Sequence, residues 1–421
     1  MLDSDPAEPE TSLVREGDAN DERGTPPLEL FDSPRAWRMV VAAFVAMFTV
    51  YGVAYSFGAF FRPMAEEFGA GRSLTSVVFS LTVCVWSLLG TLTGHLCDRF
   101  GPKIVVGAGG VIMGIGLLLT AQIHLLWLGF LTYSLGVGIG IACAYVPMVA
   151  VVGGWFLSRR NTALGIAVAG IGFGTVLGAP LAAWLVARYG WRMTDVIFGV
   201  GATAILLACA GAAERPPVHV TPSKTNLLDA VRTPAFRLLY GSAVLNSTSL
   251  FVPFVYLPAY AHDHGASEVA AAALVGAIGG ASVAGRLGLG ALADRVEVVR
   301  LYQASFLLLG LSYLLWLMAG SYAWLIAFAL VMGTGYGGFV ALSPALLAYL
   351  FGTRRLGAMM GALYTSGAIG ALIGPPLAGL IVDRTGSYRL AIGFTFVVAM
   401  AAYAVLIPLG RSNQSWNASD E

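Results

Sequence analysis

Charge is what this sequence has least of. Only 11% of its 421 residues are Asp, Glu, Lys or Arg, against about 25% in soluble domains, and 57% are hydrophobic. That balance excludes both a water-soluble globule and a disordered chain. Cysteine is scarce as well: Cys84, Cys97, Cys143 and Cys209 stand singly in apolar runs without CxxC spacing, which excludes a disulfide scaffold and a thiolate zinc site. No His/Asp/Glu cluster, HExxH or serine nucleophile elbow lies in or beside an apolar run. The sequence therefore points to no enzyme, no metal and no cofactor. A net charge of +1 gives no basis for binding nucleic acid.

What the chain has instead is long apolar stretches. About 20 such residues cross a bilayer, and one charge at its centre costs several kcal/mol. On that rule 39–61, 73–97, 161–187, 196–213, 238–261, 267–293, 356–382 and 390–410 each form one spanning helix, and the charge-free stretches 104–158 and 301–353 each form a helical hairpin. Twelve spans result, an all-α polytopic membrane protein whose first partner is the lipid bilayer. The runs are continuous rather than alternating, which excludes a membrane β-barrel. Residues 1–36, with ten acidic and three basic side chains, read as a disordered acidic tail. The polar segment 214–236 reads as a cytoplasmic linker between six-helix bundles at 37–213 and 237–410, with a short tail at 411–421. Most Lys and Arg then fall on the side that holds both termini, so both are expected in the cytoplasm, with the protein in the plasma (inner) membrane.

Sliding the sequence by 196 residues superposes its halves. Gly94, Leu96, Asp98 and Arg99 fall on Gly290, Leu292, Asp294 and Arg295, while Gly165, Gly174, Gly178, Pro180, Arg188 and Gly190 fall on Gly361, Gly370, Gly374, Pro376, Arg384 and Gly386. The two hairpins begin at 104 and 301, at nearly the same spacing. A spacing shared by loops and helices means a duplicated six-helix unit, the organisation of secondary transporters, whose site lies between repeats near the bilayer midplane. The 53 glycines show no G-X-Y period and read as close helix packing; the row Gly170, Gly174, Gly178, echoed by Ser366, Gly370, Gly374, is the face for it.

The stretch Gly94-His95-Leu96-Cys97-Asp98-Arg99-Phe100-Gly101-Pro102-Lys103 resembles the G-x-L-x-D-R-x-G-x-[KR] loop of the major facilitator superfamily, and the resemblance extends over 37–410. It implies the two-bundle fold of that superfamily. It also implies a cytoplasmic charge clasp that breaks and reforms as the bundles rock, made here by Asp98, Arg99, Lys103, Asp294 and Arg295 with Arg159 and Arg160. Within the superfamily, Trp155-Phe156-Leu157-Ser158-Arg159-Arg160-Asn161-Thr162-Ala163-Leu164-Gly165 and the residues to Gly170 resemble the fifth-helix signature of monocarboxylate porters. The segments 374–379 and 383–388 are similar to their eleventh helix, and Asp32-Ser33-Pro34-Arg35-Ala36-Trp37 to their first-helix motif. Gly165, Gly174 and Gly178 also resemble a pattern of drug/proton antiporters, although Ala179 separates Gly178 from Pro180; packing is the preferred reading of that row.

Arg286 is the one charged residue that this reading places inside a span and away from its ends. An intramembrane cation is costly and faces a cavity as a rule; the alternative is a side chain snorkelling to the surface. The resemblance implies that a helix-8 arginine pairs with the substrate carboxylate, and guanidinium suits the task because it stays charged and grips a carboxylate with two donors. Where mammalian members of that family carry an aspartate four residues earlier, this sequence has Ser282, and Tyr55 stands at their first-helix lysine. Both departures remove charge. Tyr51, Asn246, Tyr256, Tyr336 and Tyr364 lie at compatible depths and complete the expected pocket, with Tyr145, Phe339 and Ser366 as weaker candidates. The expected activity is secondary transport of a small monocarboxylate-type organic anion, together with a proton. Organic-anion exchange of the oxalate:formate type and proton-driven export of a larger, drug-like compound stay open. No proton carrier is marked: His95, His262, His264, Glu66 and Glu67 all read as rim residues.

Overall fold

Thirteen helices account for most of the described residues, 31–217, 231–293, 295–352 and 356–417, of the computed structural model. In chain order they are α1 (Pro34–Tyr55), α2 (Phe57–Phe68), α3 (Arg72–Phe100), α4 (Pro102–Thr120), α5 (Leu126–Trp155), α6 (Arg160–Ala212), α7 (Pro234–Leu250), α8 (Val252–Asp263), α9 (Glu268–Leu292), α10 (Val298–Leu317), α11 (Tyr322–Phe351), α12 (Leu356–Thr385) and α13 (Tyr388–Asn417). The described residues contain no strand. Most of the expected acidic tail, most of the linker, and Asp294 lie outside them. α13 continues past the expected end at 410.

Eleven stretches among the described residues are long and apolar enough to cross a membrane. One of them, α6, has 53 residues and as a straight rod would reach about 80 Å, far beyond a hydrocarbon core of about 30 Å. It is broken at Gly190, where φ 78 and ψ 161 suit glycine alone. α6 therefore holds two spans and the total is twelve. Gly386, 196 residues later, has φ 65 and turns the chain between the last two spans. The second span of α6 starts at Trp191, before the expected 196, so that Asp195 lies inside the bundle instead of in a loop.

Each half opens with a bent span. α1 and α2 meet at Ser56, whose hydroxyl donates to the Val53 carbonyl at 2.7 Å; α7 and α8 meet at Phe251. The two glycine rows pack these bent spans: a Cβ at Gly170, Gly174 or Gly178 would overlap the carbonyls of Phe44, Phe48 and Gly52 on α1, and one at Gly374 would overlap that of Thr248 on α7. A Cβ at Gly165 meets nothing within 4 Å. Large apolar side chains such as Val41, Leu92, Leu177, Leu207, Leu330 and Val397 point outward, as a lipid-facing surface requires. Between the halves, α3 packs on α12, α6 on α9, and α2 on α8.

Asp32 ties the start of α1 to the start of α6. Its carboxylate accepts from the Ser158 hydroxyl at 2.7 Å and from the backbone N–H groups of Ser158 and Arg159, both at 3.2 Å. The Ser158 hydroxyl, with those backbone donors, holds the Asp32 carboxyl below its ordinary range.

Candidate functional site

Arg286 stands on α9 where α9 and α11 meet backbone to backbone: a Cβ at Gly285 would overlap the Thr334 carbonyl, and one at Gly337 the Ser282 carbonyl. That approach lays the Arg286 guanidinium 5.7 Å from the centre of the Tyr336 ring, a cation–π distance. Instead of snorkelling, Nη1 crosses to the other half and donates to the Val168 carbonyl of α6 at 3.0 Å. Nε and Nη2 are buried and have no acceptor among the described residues. These two nitrogens form the parallel-donor edge of the guanidinium, the geometry that a carboxylate matches with both oxygens.

Aromatic rings from both halves gather beside the guanidinium. The hydroxyls of Tyr55 and Tyr336 are 3.1 Å apart, and Tyr55 stacks on Phe254 with centroids 4.3 Å apart. Tyr51 contacts Tyr55, Trp86 and Tyr145 at 5.6, 5.9 and 5.9 Å. The hydroxyls of Tyr145 and Tyr364 approach one another, and the charge of Arg286 reaches Tyr51, Tyr55 and Tyr145. Tyr55, Tyr336 and Phe254 are buried, whereas Arg286, Trp86, Tyr145 and Tyr364 are partly exposed.

Tyr51, Tyr55, Tyr336 and Tyr364, and with them the weaker candidate Tyr145, thus converge with Arg286. Tyr256 does not. Its hydroxyl donates to the carbonyls of Arg72 and Pro375 at 3.1 and 3.0 Å, which spends it on the seal between the halves. Ser282 bonds back to the Gly279 carbonyl of its own helix at 2.8 Å. Asn246 is buried with its Nδ2 unpartnered, but no hydrogen bond among the described residues joins it to the tyrosines. Phe339 packs on Phe306 and Tyr302 inside its own half. Trp86 and Phe254 join the site although nothing in the sequence marks them, because an aromatic residue in a span looks like any other apolar one. The Val168 carbonyl carries no side-chain signature at all.

The rim away from the termini is closed. Arg72 reaches Asp263 at 3.1 Å; Asp383 accepts from the backbone N–H groups of Arg72 and Ser73 at 3.0 and 2.9 Å; the Ser73 hydroxyl donates to the Pro376 carbonyl at 2.8 Å. Arg62 contacts His262, which lies 3.0 Å from Glu268. These contacts all join one half to the other except the last, so His262, expected to be a rim residue, belongs to a seal. On the terminal side Asp98, Arg99, Lys103, Arg159, Arg160 and Arg295 are exposed. No ion pair among the described residues joins any of them to an acidic or basic partner.

Comparison with known proteins concerns the family and the fold. The family model of the Major Facilitator Superfamily matches residues 39–301 and 239–421. Monocarboxylate transporter 3 of Rattus norvegicus is 32% identical over 378 residues, 85% of this chain and 76% of that protein. Monocarboxylate transporter 13 of Bos taurus is 29% identical over 395 residues, 92% and 91% of the two chains. Among solved structures, a bacterial homolog of the human lysosomal transporter Spinster, in an inward-facing and unoccupied conformation, superposes with a TM-score of 0.74 at 15% identity, covering 90% of this chain and 97% of its own. That likeness concerns the fold.

Proposed function

Because the chain belongs to the Major Facilitator Superfamily, and within it to the monocarboxylate transporter family, we propose that this multi-pass membrane transporter carries a small monocarboxylate-type organic anion by alternating access, with a proton. The observation that carries the reading is the free Nε–Nη2 edge of Arg286. Each buried donor without a partner costs about 1–3 kcal/mol, and more on a charged group, so the edge stays unpaired at a penalty that a carboxylate would relieve with two charge-assisted bonds. The rings of Tyr51, Tyr55, Phe254 and Tyr336 pack on one another beside the guanidinium and favour a small organic anion over a bulky one. Tyr55, Tyr336 and Tyr51 contribute hydroxyls and ring faces; Ser282, Asn246 and Tyr256 act behind or beyond the pocket.

Opening and closing follow from the same distribution of contacts. With both termini in the cytoplasm, the joined rim is the outer one and the pocket faces inward. Closure on the inner side would then bring Asp98, Arg99, Lys103, Arg159 and Arg160 of one half toward Asp294 and Arg295 of the other, the clasp that the sequence motif implies.

Proteoliposomes given labelled lactate or pyruvate under opposite pH gradients test the reading. Uptake is expected to follow the proton gradient, and Arg286→Lys, which keeps the charge but loses the planar fork, to remove most of it. Two charge-assisted bonds reduced to one ammonium contact is a loss of about 2–3 kcal/mol, a fall of roughly 30- to 150-fold. Undiminished transport by Arg286→Lys would make the arginine structural, and a pH-independent exchange of anions would remove the proton from the reaction.

A further inference from the structure

Arg286 has a counterpart of opposite sign that the pocket does not use. Asp195, in the second span of α6, is 1% exposed, and neither of its carboxyl oxygens has a hydrogen-bond partner among the described residues. An ionised carboxylate in that position would give up water and receive nothing in return, at a cost of several kcal/mol.

The surroundings supply no counter-ion. Arg192, one turn earlier on α6, is the cation whose charge reaches Asp195, but its guanidinium is committed elsewhere: to the carbonyls of Ala121 and Ile123, both at 2.8 Å, and to the carboxylate of Glu67. Glu67, on α2, is also held by the Trp191 indole N–H at 2.6 Å, and His124, in the turn after α4, acts on Glu67. From α5, Tyr133 lies within electrostatic reach of Asp195, and its hydroxyl points at the Val53 carbonyl beside the break in span 1, at 3.5 Å. The face of α4 that meets this span is built from Gly107, Gly110, Gly114 and Leu117 and offers no titratable group.

The duplication supplies an internal control. Position 195 corresponds to Ala391 at the 196-residue spacing, and Ala391 is buried at 4% exposure. The two helix pairs are built alike there: Gly114 lies against Thr203 in the first half, and Gly310 against Ala399, 196 residues from Thr203, in the second. An alanine satisfies this packing position in one half, so the fold does not call for a carboxyl group in the other.

We propose that Asp195 is the proton-binding site of the transporter, a role distinct from that of Arg286 and resting on the proton-coupled reading above. The proton binds one carboxyl oxygen, and the site passes between a neutral acid and a carboxylate with no other bond made or broken. Protonated, Asp195 leaves Arg192 to Glu67 and the end of span 1 stays tied to span 6. Deprotonated, it is a carboxylate without a hydrogen-bond partner among the described residues, three residues from Arg192, whose guanidinium stays on Glu67, Ala121 and Ile123, so the packed interior penalises this state.

Infrared difference spectra of the purified full-length protein, titrated from about pH 5 to about pH 8, test this without any substrate. A carboxylic-acid C=O band that diminishes as pH rises in the wild type and is missing from Asp195→Asn is expected. The absence of such a band, or one that Asp195→Asn retains, overturns the assignment. In proteoliposomes, Asp195→Asn is expected to keep labelled-lactate counterflow while losing accumulation driven by a pH gradient; accumulation equal to wild type overturns the proposal. If wild-type protein moves neither lactate nor pyruvate, the monocarboxylate reading falls, while the infrared titration still decides Asp195. The near-isosteric Asn holds the volume, and Asp195→Ala, the residue at the matched position 391, provides a second variant that the fold accommodates.

Discussion

At Asp383 a single side chain of one half caps a helix of the other. α3 begins at Arg72, its N-cap residue is Gly71, and no side chain of its own caps it, so the first N–H groups of the helix need an acceptor from elsewhere. Asp383, at the end of α12 in the other half, supplies both oxygens at 3.0 and 2.9 Å. The matched helix solves the problem locally. α9 is capped by Ser267, which accepts from the Ala270 N–H at 3.3 Å, and opens with Glu268; at the 196-residue spacing these positions are Gly71 and Arg72, and the partner of Asp383 is Ala187. A cap is worth about 1 kcal/mol and an anion at a helix N-terminus about 0.3–1 kcal/mol, and Asp383 is exposed. Its loss should cost the closed rim about 1–2 kcal/mol and, since the contact exists only while the halves are joined, change the ratio of closed to open rim about 5- to 30-fold. Spin labels at Leu74→Cys and Leu390→Cys, in a background with the four native cysteines replaced by alanine, read that ratio as two distance populations. Asp383→Ala should enlarge the longer one. Gly71→Ser added to Asp383→Ala restores a local cap but not the bridge, so thermal stability should recover while the long-distance population persists. An unchanged distance distribution in Asp383→Ala would refute the latch, and a double variant that returns to the wild-type distribution would reduce Asp383 to a helix cap.

Two further predictions concern packing and acid stability. Gly174→Ala should lower the thermal midpoint, because its Cβ meets the backbone carbonyl of Phe48 and overpacking of this kind costs about 1–3 kcal/mol, whereas Gly165→Ala, with nothing within 4 Å, should fold and transport normally; a loss of drug-type export in both variants alike would favour the antiporter reading of the row instead. Asp32, whose carboxyl the Ser158 hydroxyl holds below its ordinary range, should stabilise the junction of spans 1 and 5 fully above the unfolded value of about 3.9 and progressively less as pH falls toward its lower folded value. The difference in unfolding midpoint between wild type and Asp32→Asn, measured from neutral pH down through about pH 3, should therefore shrink, and a difference that grows on acidification would contradict the sign.

Spans were legible in the sequence because the bilayer penalises each charge separately, so charge-free runs announce themselves residue by residue. The same rule hid Asp195. Next to Arg188 and Arg192 it read as loop, and only the backbone at Gly190, which restarts a helix at once, draws it into the bundle. Arg286, Tyr51, Tyr55, Tyr336 and Tyr364 were legible as polar groups at mid-span depth. Depth alone does not say which way a side chain faces, and Tyr256, at a comparable depth on the span that follows the break at Phe251, turns to the seal. The seal itself was illegible for a different reason. His262, Asp263, Glu268, Arg62 and Arg72 look like ordinary rim residues one half at a time, and their meaning appears only when the halves meet. The free edge of Arg286 also depends on that meeting, since Val168 in one half occupies Nη1 and leaves Nε and Nη2.

The two intramembrane charges together set which loaded states can reorient. Arg286 lies in one half and Asp195 in the other, and neither has a partner of opposite charge among the described residues. With an anion on Arg286 and a proton on Asp195, each site is neutral by itself. An anion alone leaves the Asp195 carboxylate uncompensated in a packed interior, and a proton alone leaves the Arg286 cation; either is a state that a bilayer penalises by several kcal/mol. On the reading proposed above, one monovalent anion should therefore move with one proton and carry no net charge. An imposed membrane potential should leave the rate of labelled-lactate uptake in proteoliposomes unchanged while a pH gradient changes it, whereas Asp195→Asn, fixed in the neutral form, should move the anion with Arg286 paired but without the proton. A transport rate that followed the potential in the wild type would mean that the two charges are not balanced one against the other, and that the proton enters at a group other than Asp195.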